Sequence, residues 1–242
     1  MHSLRLSFAC VALASAAAAF WTDAGRAADD FKIEAGYTSL FNGKDLTGWL
    51  YSGVKGKEMA GKTETPDKRF MVVDGIIVID GKGGGDLFTD RDYNKDFNIK
   101  LEFRAAPKAD SGLYLRSVPA QLQVRDYPTV GPFKKAKFND GAWNELDITV
   151  KGPIVTTSVN GKAVTDKDTL ELTVKEGKPL AKLNGAAVDV ATIAVNVGAE
   201  ALCKCNGEVI DKAFKCPAKG PIGLQSESGK FEFRRIRIKE LP

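Results

Sequence analysis

The chain has 242 residues, 43% hydrophobic and 27% charged, and its 35 Lys and Arg stand against 31 Asp and Glu for a formal net charge of +4. That near-balance argues against a nucleic-acid partner, which would need a concentrated basic stripe. The length suits one large β domain.

The N-terminus opens with His2 and Arg5, runs through the apolar stretch LSFACVALASAAAAFW, and ends in small residues before Asp29 and Asp30. This predicts a signal peptide over residues 1–28, cleaved after Ala27 or Ala28, and hence an exported protein, periplasmic or extracellular. The stretch is too short and too rich in Ala for a membrane span, and no second candidate follows it. A lipoprotein signal at Cys10 is disfavoured because Ser7 stands where an aliphatic residue is needed. Residues 29–242 are then one domain.

Along that domain the pattern is of strands and turns. Residues 51–69, YSGVKGKEMAGKTETPDKR, carry no apolar period and read as a long loop. Long loops over rigid sheets often carry binding function. Asp74-Gly75, Asn160-Gly161, Asn184-Gly185 and Asn206-Gly207 each sit between apolar residues and predict two-residue hairpins, whose turn positions need positive φ. Asp86 and Asp90 flank LFT and read as turn residues. Trp49 reads as core and Trp143 as packing at a sandwich edge.

Three segments in a row, FNIKLEFR from Phe97, GLYLR from Gly112 and QLQVRD from Gln121, alternate apolar and polar residues with period two. Alternation buries one face and turns the other outward. Glu102 and Arg104 share a face, as do Tyr114 and Arg116, and Gln121, Gln123 and Arg125. If the three strands lie in one sheet, their outer face suits a hydroxyl-rich ligand. The competing reading is a solvated sheet face. Farther on, RRIRIK at 234–239 reads as a strand with a charged outer face.

Residues 165–219 hold Cys203, Cys205 and Cys216, and read as extra strands at a sheet edge or as a flap. Cys203 and Cys205 are too close along a strand to bridge without strain, so Cys216 with one of them is the better pairing. His2, the single histidine, lies in the expected signal peptide, so the mature chain offers no histidine ligand. No metal and no cofactor are expected.

Four blocks carry a resemblance to a known family: TSLFNGKDLTGW at 38–49, the run from GGGDLFTD through DSGLYLR, GAWNELDITVKG with VNGKAV, and the closing GPIGLQSESGKFEFRRIRIKEL. In this order they resemble the 3-keto-disaccharide hydrolase domain family. The resemblance implies an all-β fold, a concanavalin A-like jelly-roll sandwich of two antiparallel sheets, and action on 3-keto sugars or glycans. The family's Asn-Ser-Gly followed by an apolar pair and Arg corresponds here to Asp110, Ser111, Gly112 and Arg116. Its Glu-x-Gln before an Asp corresponds to Gln121, Gln123 and Asp126. Where the family often has a His after Leu-Gln, this chain has Leu224, Gln225, Ser226 and Glu227.

A ketone at C3 of a pyranose acidifies the C2 proton, so a base removes it, the C1 substituent leaves, and water adds back. That needs a base, a donor for the enolate oxygen and an acid for the leaving oxygen. Glu227 and Glu102 are the candidate proton-transfer groups and Arg116 the candidate enolate stabiliser. Tyr114, Gln121, Gln123, Asp126 and Gln225 are candidate sugar contacts. The competing reading for Glu102 is an ion pair across the sheet. The function expected is cleavage of 3-keto-glycosides, and the alternative is a non-catalytic carbohydrate-binding module of the same fold.

Overall fold

The computed structural model describes residues 31–52, 57–81, 84–118, 120–125, 139 and 141–242. The expected signal peptide and the candidate Asp126 lie outside them. Eight strands come from the first half: β1 (Thr38–Ser39), β2 (Trp49–Tyr51), β3 (Phe70–Val73), β4 (Ile76–Ile79), β5 (Leu87–Thr89), β6 (Phe97–Ala105), β7 (Asp110–Tyr114) and β8 (Gln121–Arg125). The second half adds β9 (Asn144–Val159), β10 (Lys162–Ala163), β11 (Leu170–Lys175), β12 (Lys178–Leu183), β13 (Ala186–Val188), β14 (Ile193–Cys205), β15 (Glu208–Pro217), β16 (Gly223–Leu224) and β17 (Phe231–Glu240).

They form a large sheet ordered β15-β14-β9-β6-β17-β4-β3, a small sheet ordered β2-β5-β16-β7-β8, and a separate three-stranded sheet β11-β12-β13. The fold is the expected all-β sandwich of antiparallel sheets. Its core lies between the two main sheets. Phe97, Ile99, Leu101 and Phe103 of β6 and Phe231, Phe233, Ile236 and Ile238 of β17 meet Leu87, Leu113, Leu122, Val124 and Leu224 of the small sheet, all buried. Burying each such side chain fully contributes about 1.5–3 kcal/mol. Trp49 is in this core, and its indole N–H donates to the Leu40 carbonyl at 2.9 Å.

All four Asx-Gly pairs form two-residue turns with positive φ at both positions, as at Asn184 (51°) and Gly185 (81°) between β12 and β13. Glu176-Gly177, with φ of 54° and 77°, makes a fifth turn of this kind without an Asx residue.

The condition that the three alternating segments lie in one sheet is not met. β7 pairs with β8 in the small sheet, whereas β6 lies between β9 and β17 in the large one. The chain crosses at Ala106–Ala109, where Lys108 has φ of 64° and the Ala109 N–H donates to the Ala106 carbonyl. Glu102 therefore sits on the outer face of the large sheet, opposite in the sandwich from Tyr114. There it accepts from Arg234 Nε at 2.7 Å and Arg235 Nη1 at 2.8 Å. A register shift in β17 between Arg234 and Arg237, with Arg235 at φ 52°, turns both arginines to this face while Ile236 stays buried. The Arg234 and Arg104 guanidinium carbons stand 3.8 and 4.7 Å from the Trp143 ring centroid, so Trp143 covers the ion pairs. RRIRIK is thus a strand with a charged outer face, as expected.

The residue Arg116 also departs from expectation. β7 ends at Tyr114, and Arg116 (φ 61°) and Ser117 (φ 96°) turn the chain in left-handed conformations, so the period-two alternation does not reach Arg116. Its side chain is fully buried, Nη2 donates to the Lys95 carbonyl, and the guanidinium lies 5.3 Å from the Phe97 ring centroid. Burial depresses its pKa.

The three cysteines are buried and unbridged. Register explains why the expected pairing does not form: Cys216 stands opposite Ala199, and Cys203 opposite Asp211. Burial raises all three thiols, Cys205 up to about 12. Residues 165–219 prove to be two things: β14 and β15 complete the edge of the large sheet, and β11–β13 form the separate sheet.

If Glu102 serves the ion-pair network, Glu102→Gln lowers stability by roughly 1–3 kcal/mol, the value of hydrogen bonds to charged groups, and leaves turnover per folded molecule unchanged. Thermal unfolding together with steady-state kinetics checks both.

Candidate functional site

The outer face of the small sheet is organised by two positions without side chains. Gly223 of β16 stands between Phe88 of β5 and Tyr114 of β7. Across this gap the two rings stack, with centroids 5.2 Å apart and planes at 23°. A Cβ at Gly223 would lie 2.5 Å from Phe88 and 2.9 Å from Tyr114, so this strand pairing with this stack requires glycine. Two residues before Tyr114 on β7, Gly112 lets Gln121 fold flat over the strand, where a Cβ would fall 2.2 Å from Gln121 Nε2.

Beside the stack runs a chain of amides ending in a carboxylate. Gln121 Nε2 donates to Gln225 Oε1, and Gln225 Nε2 donates to Glu227 Oε2 at 2.8 Å. The Gln225 backbone N–H donates to the Gly112 carbonyl at 2.8 Å, and Ser111 Oγ donates to the Gln225 carbonyl at 2.8 Å. Both ends of the Gln225 amide are engaged, which fixes its orientation. Glu227 is exposed, and Gln123 is partly exposed on the same face.

The chemically distinctive group is Asp86. Its Oδ1 accepts the Ser226 N–H at 2.8 Å and its Oδ2 accepts the Tyr114 hydroxyl at 3.1 Å. Burial raises the Asp86 pKa above the ordinary aspartate range, and the negative charge of Glu227 adds to that, against the pull of the two hydrogen bonds. Burial, then the Asp86 charge, pushes the Tyr114 phenol far up, so it stays a proton donor. Ser226 is itself anchored, because the buried Arg69 donates from Nε to its Oγ at 2.8 Å. Next to Asp86, the Gly85 N–H donates to the Tyr51 hydroxyl at 3.1 Å, which in turn donates to Asp67 Oδ2 at 2.6 Å. A half-buried carboxylate that holds a proton above the usual range, with a phenol as its partner, is equipped for proton transfer.

The structure thus brings together Tyr114, Gln121, Gln123, Gln225 and Glu227 of the residues expected from sequence. It does not bring Glu102 or Arg116 to them: Glu102 is on the far side of the sandwich and Arg116 is inside it. Asp86, Phe88, Tyr51 and Arg69 were not among the expected site residues. Asp86 precedes a strand of three residues, too short to show the alternation that would have placed it, and Tyr51 and Arg69 bound the segment read as a loop.

A family model for the 3-keto-alpha-glucoside-1,2-lyase-like domain matches residues 36–239. The chain belongs to this family. The match spans both sheets and the residues described above, and it supports a carbohydrate-active role for the chain. No curated protein matches the chain. Among solved structures, two from Parabacteroides distasonis, each described as a "putative glycosyl hydrolase", are 21% and 22% identical with TM-scores of 0.46 and 0.47. Each alignment covers 86% of this chain, and respectively 94% and 84% of the other. A Bacillus licheniformis beta-glucanase is 12% identical over 85% of this chain and 97% of its own, with a TM-score of 0.36.

Gly223→Ala tests the construction of this face. The added methyl forces the Phe88–Tyr114 stack apart, and overpacking of this kind costs roughly 1–3 kcal/mol. Thermal unfolding reports that loss, and sugar binding measured on the folded fraction should fall with it.

Proposed function

We propose that the chain is an exported enzyme that cleaves 3-keto-glycosides by elimination and hydration on the outer face of the small sheet. The observation that carries this reading is Asp86, its carboxylate clasped between the Tyr114 hydroxyl and the Ser226 N–H beside Glu227. Asp86 acts as the base. It takes the C2 proton, the electron pair moves toward C3 to give an enolate, and the enolate then expels the C1 substituent to leave a C1–C2 double bond. The departing oxygen takes a proton from a water held by the Glu227 carboxylate, the hydroxide so formed adds at C1, and Asp86 returns its proton to C2, so the net reaction is hydrolysis of the glycosidic bond.

The other groups bind. Gln121, Gln123 and Gln225 present amides to ring hydroxyls, and the Tyr114 hydroxyl donates to the developing enolate oxygen when Asp86 becomes protonated. An enolate needs such a donor more than the ketone does, so the interaction favours the transition state. Charge stabilisation, expected from Arg116, passes to this phenol. Family membership supports the substrate class. A second reading, a lectin-like module, is favoured by the open run of amides from Gln121 to Gln225, which suits binding without chemistry.

Release of free sugar from a panel of 3-keto-glucosides beside their unoxidised parents decides between the two. Cleavage confined to the keto substrates is expected. Binding of the same sugars without cleavage would overturn the enzyme reading and leave the lectin. Asp86→Asn should lower kcat by roughly a hundredfold or more, the usual worth of a positioned base, with the thermal transition retained.

The pH profile provides a further check. Activity needs Asp86 ionised, so the ascending limb of kcat/KM lies above the pH expected for an ordinary aspartate. It moves lower when Glu227→Gln removes the neighbouring negative charge that helps to hold the Asp86 pKa up. A limb at the ordinary aspartate position in the unaltered enzyme would remove Asp86 from the role of base.

A further inference from the structure

Among the described residues, the separate sheet ends in a strand open on one side. β11 is hydrogen-bonded to β12 over six consecutive pairs, Leu170↔Leu183 to Lys175↔Lys178, with no register shift, and it is the outer strand of that sheet. The turn at Glu176-Gly177 closes on Lys175 and Lys178. In a two-residue hairpin the closing pair exchanges backbone hydrogen bonds, and the ladder alternates from there. The N–H and C=O groups of Glu171, Thr173 and Lys175 therefore point to β12, and those of Leu170, Leu172 and Val174 point out of the sheet. Proteins ordinarily blunt such an edge with Pro, a bulge or charged side chains. β11, with the sequence LELTVK, has no Pro and no bulge, and its two charges, Glu171 and Lys175, are of opposite sign.

Its side chains divide by face. Leu172 and Val174, 62% and 74% exposed, share a face with Ala181 and Val188 of the next strands, whereas Glu171, Thr173 and Lys175 occupy the other. The strand is complementary to itself. Antiparallel pairing about a two-fold axis at Thr173 sets Glu171 opposite the partner's Lys175 and Leu172 opposite the partner's Val174. Leu172 and the partner's Val174 both offer outward backbone groups, so each such pair exchanges two hydrogen bonds. Moving the axis to Leu172 or Val174 keeps the backbone bonds but sets a charged residue against Thr173.

We infer that β11 is a homodimerisation strand: a second copy of this chain adds antiparallel to it, joining two three-stranded sheets into one of six strands. Opposite charges across a sheet and apolar pairs on the other face stabilise this one register, and a two-fold axis closes the assembly at two copies. One strand per chain is a small interface, so the dimer forms in a concentration-dependent way. The inference is independent of the reaction proposed for the small sheet.

Sedimentation velocity of the purified protein across a wide concentration range tests it. Expected are a shift from monomer to dimer with concentration, its loss in Glu171→Lys and in Lys175→Glu, and its return when these two variants are mixed, because mixing restores both opposite-charge pairs. Leu172→Pro removes an outward N–H and leaves the bonds to β12 in place, so it should abolish the dimer while keeping the thermal transition. A chain that stays monomeric throughout overturns the inference. So does a dimer that persists in Glu171→Lys, or two charge variants that fail to pair on mixing.

Discussion

Holding a carboxylate half out of water at Asp86 is the constraint to which much of the small sheet answers. An aspartate in that setting needs donors for both oxygens, and they come from chain segments far apart: Ser226 just after β16, and Tyr114 at the end of β7. Arg69, which opens the approach to β3, anchors Ser226 in turn. Strand pairing of β16 between β5 and β7 brings these segments together, so the sheet order and the Asp86 environment are one arrangement. A raised carboxylate pKa means that ionising Asp86 works against folding: the stability this group contributes is present below the ordinary aspartate pKa and declines as pH rises through the raised value. The rest of the sandwich must supply the difference.

The opposite face of the molecule supplies interactions of another kind. On the large sheet the charges at its centre are paired: Glu102 with Arg234 and Arg235, Arg104 with Glu232, and Arg237 with Glu34 and Glu145. The Arg237 guanidinium holds the Glu34 carboxyl down to about 2, so this pair persists well into acid and is lost only as pH falls toward that value. Paired charges of this sort stabilise and position strands. The unbalanced carboxylates, Asp86 and Glu227, are on the other side. The two outer faces thus differ in whether their charges are neutralised locally, and that difference separates the framework from the site.

The sequence made some of this legible. Alternation in FNIKLEFR and QLQV assigned inward and outward residues correctly within each strand, and the four Asx-Gly pairs located their hairpins because the positive φ they need is a local property. Which sheet a strand joins is not local. The crossing at Ala106–Ala109 decided that Glu102 and Tyr114 face opposite ways, and nothing in the period-two pattern on either side records it. Arg116 was misplaced for a related reason: alternation was carried two residues past the end of β7, where left-handed conformations at Arg116 and Ser117 break it. Asp86 was hidden because its role depends on burial and on partners more than a hundred residues away at Ser226 and nearly thirty away at Tyr114.

Two departures from the family pattern acquire a shared physical meaning in the structure. The position where the resemblance leads one to expect an acid is Gln121, and the position where it leads one to expect a histidine is Glu227. They are joined through one residue, since Gln121 donates to Gln225 and Gln225 donates to Glu227. An acid at 121 beside a carboxylate at 227 would place two negative charges at the ends of a single amide, near the raised Asp86, and each would oppose the ionisation of the others. With an amide at 121 the chain of hydrogen bonds runs in one direction and ends on one carboxylate. On the proposed mechanism the exchange keeps one proton-transfer group at that end of the site and moves it from one strand to the loop after β16. The neutral Gln121 remains to bind. The pair of substitutions is therefore better understood as a coupled relocation of charge than as two separate losses.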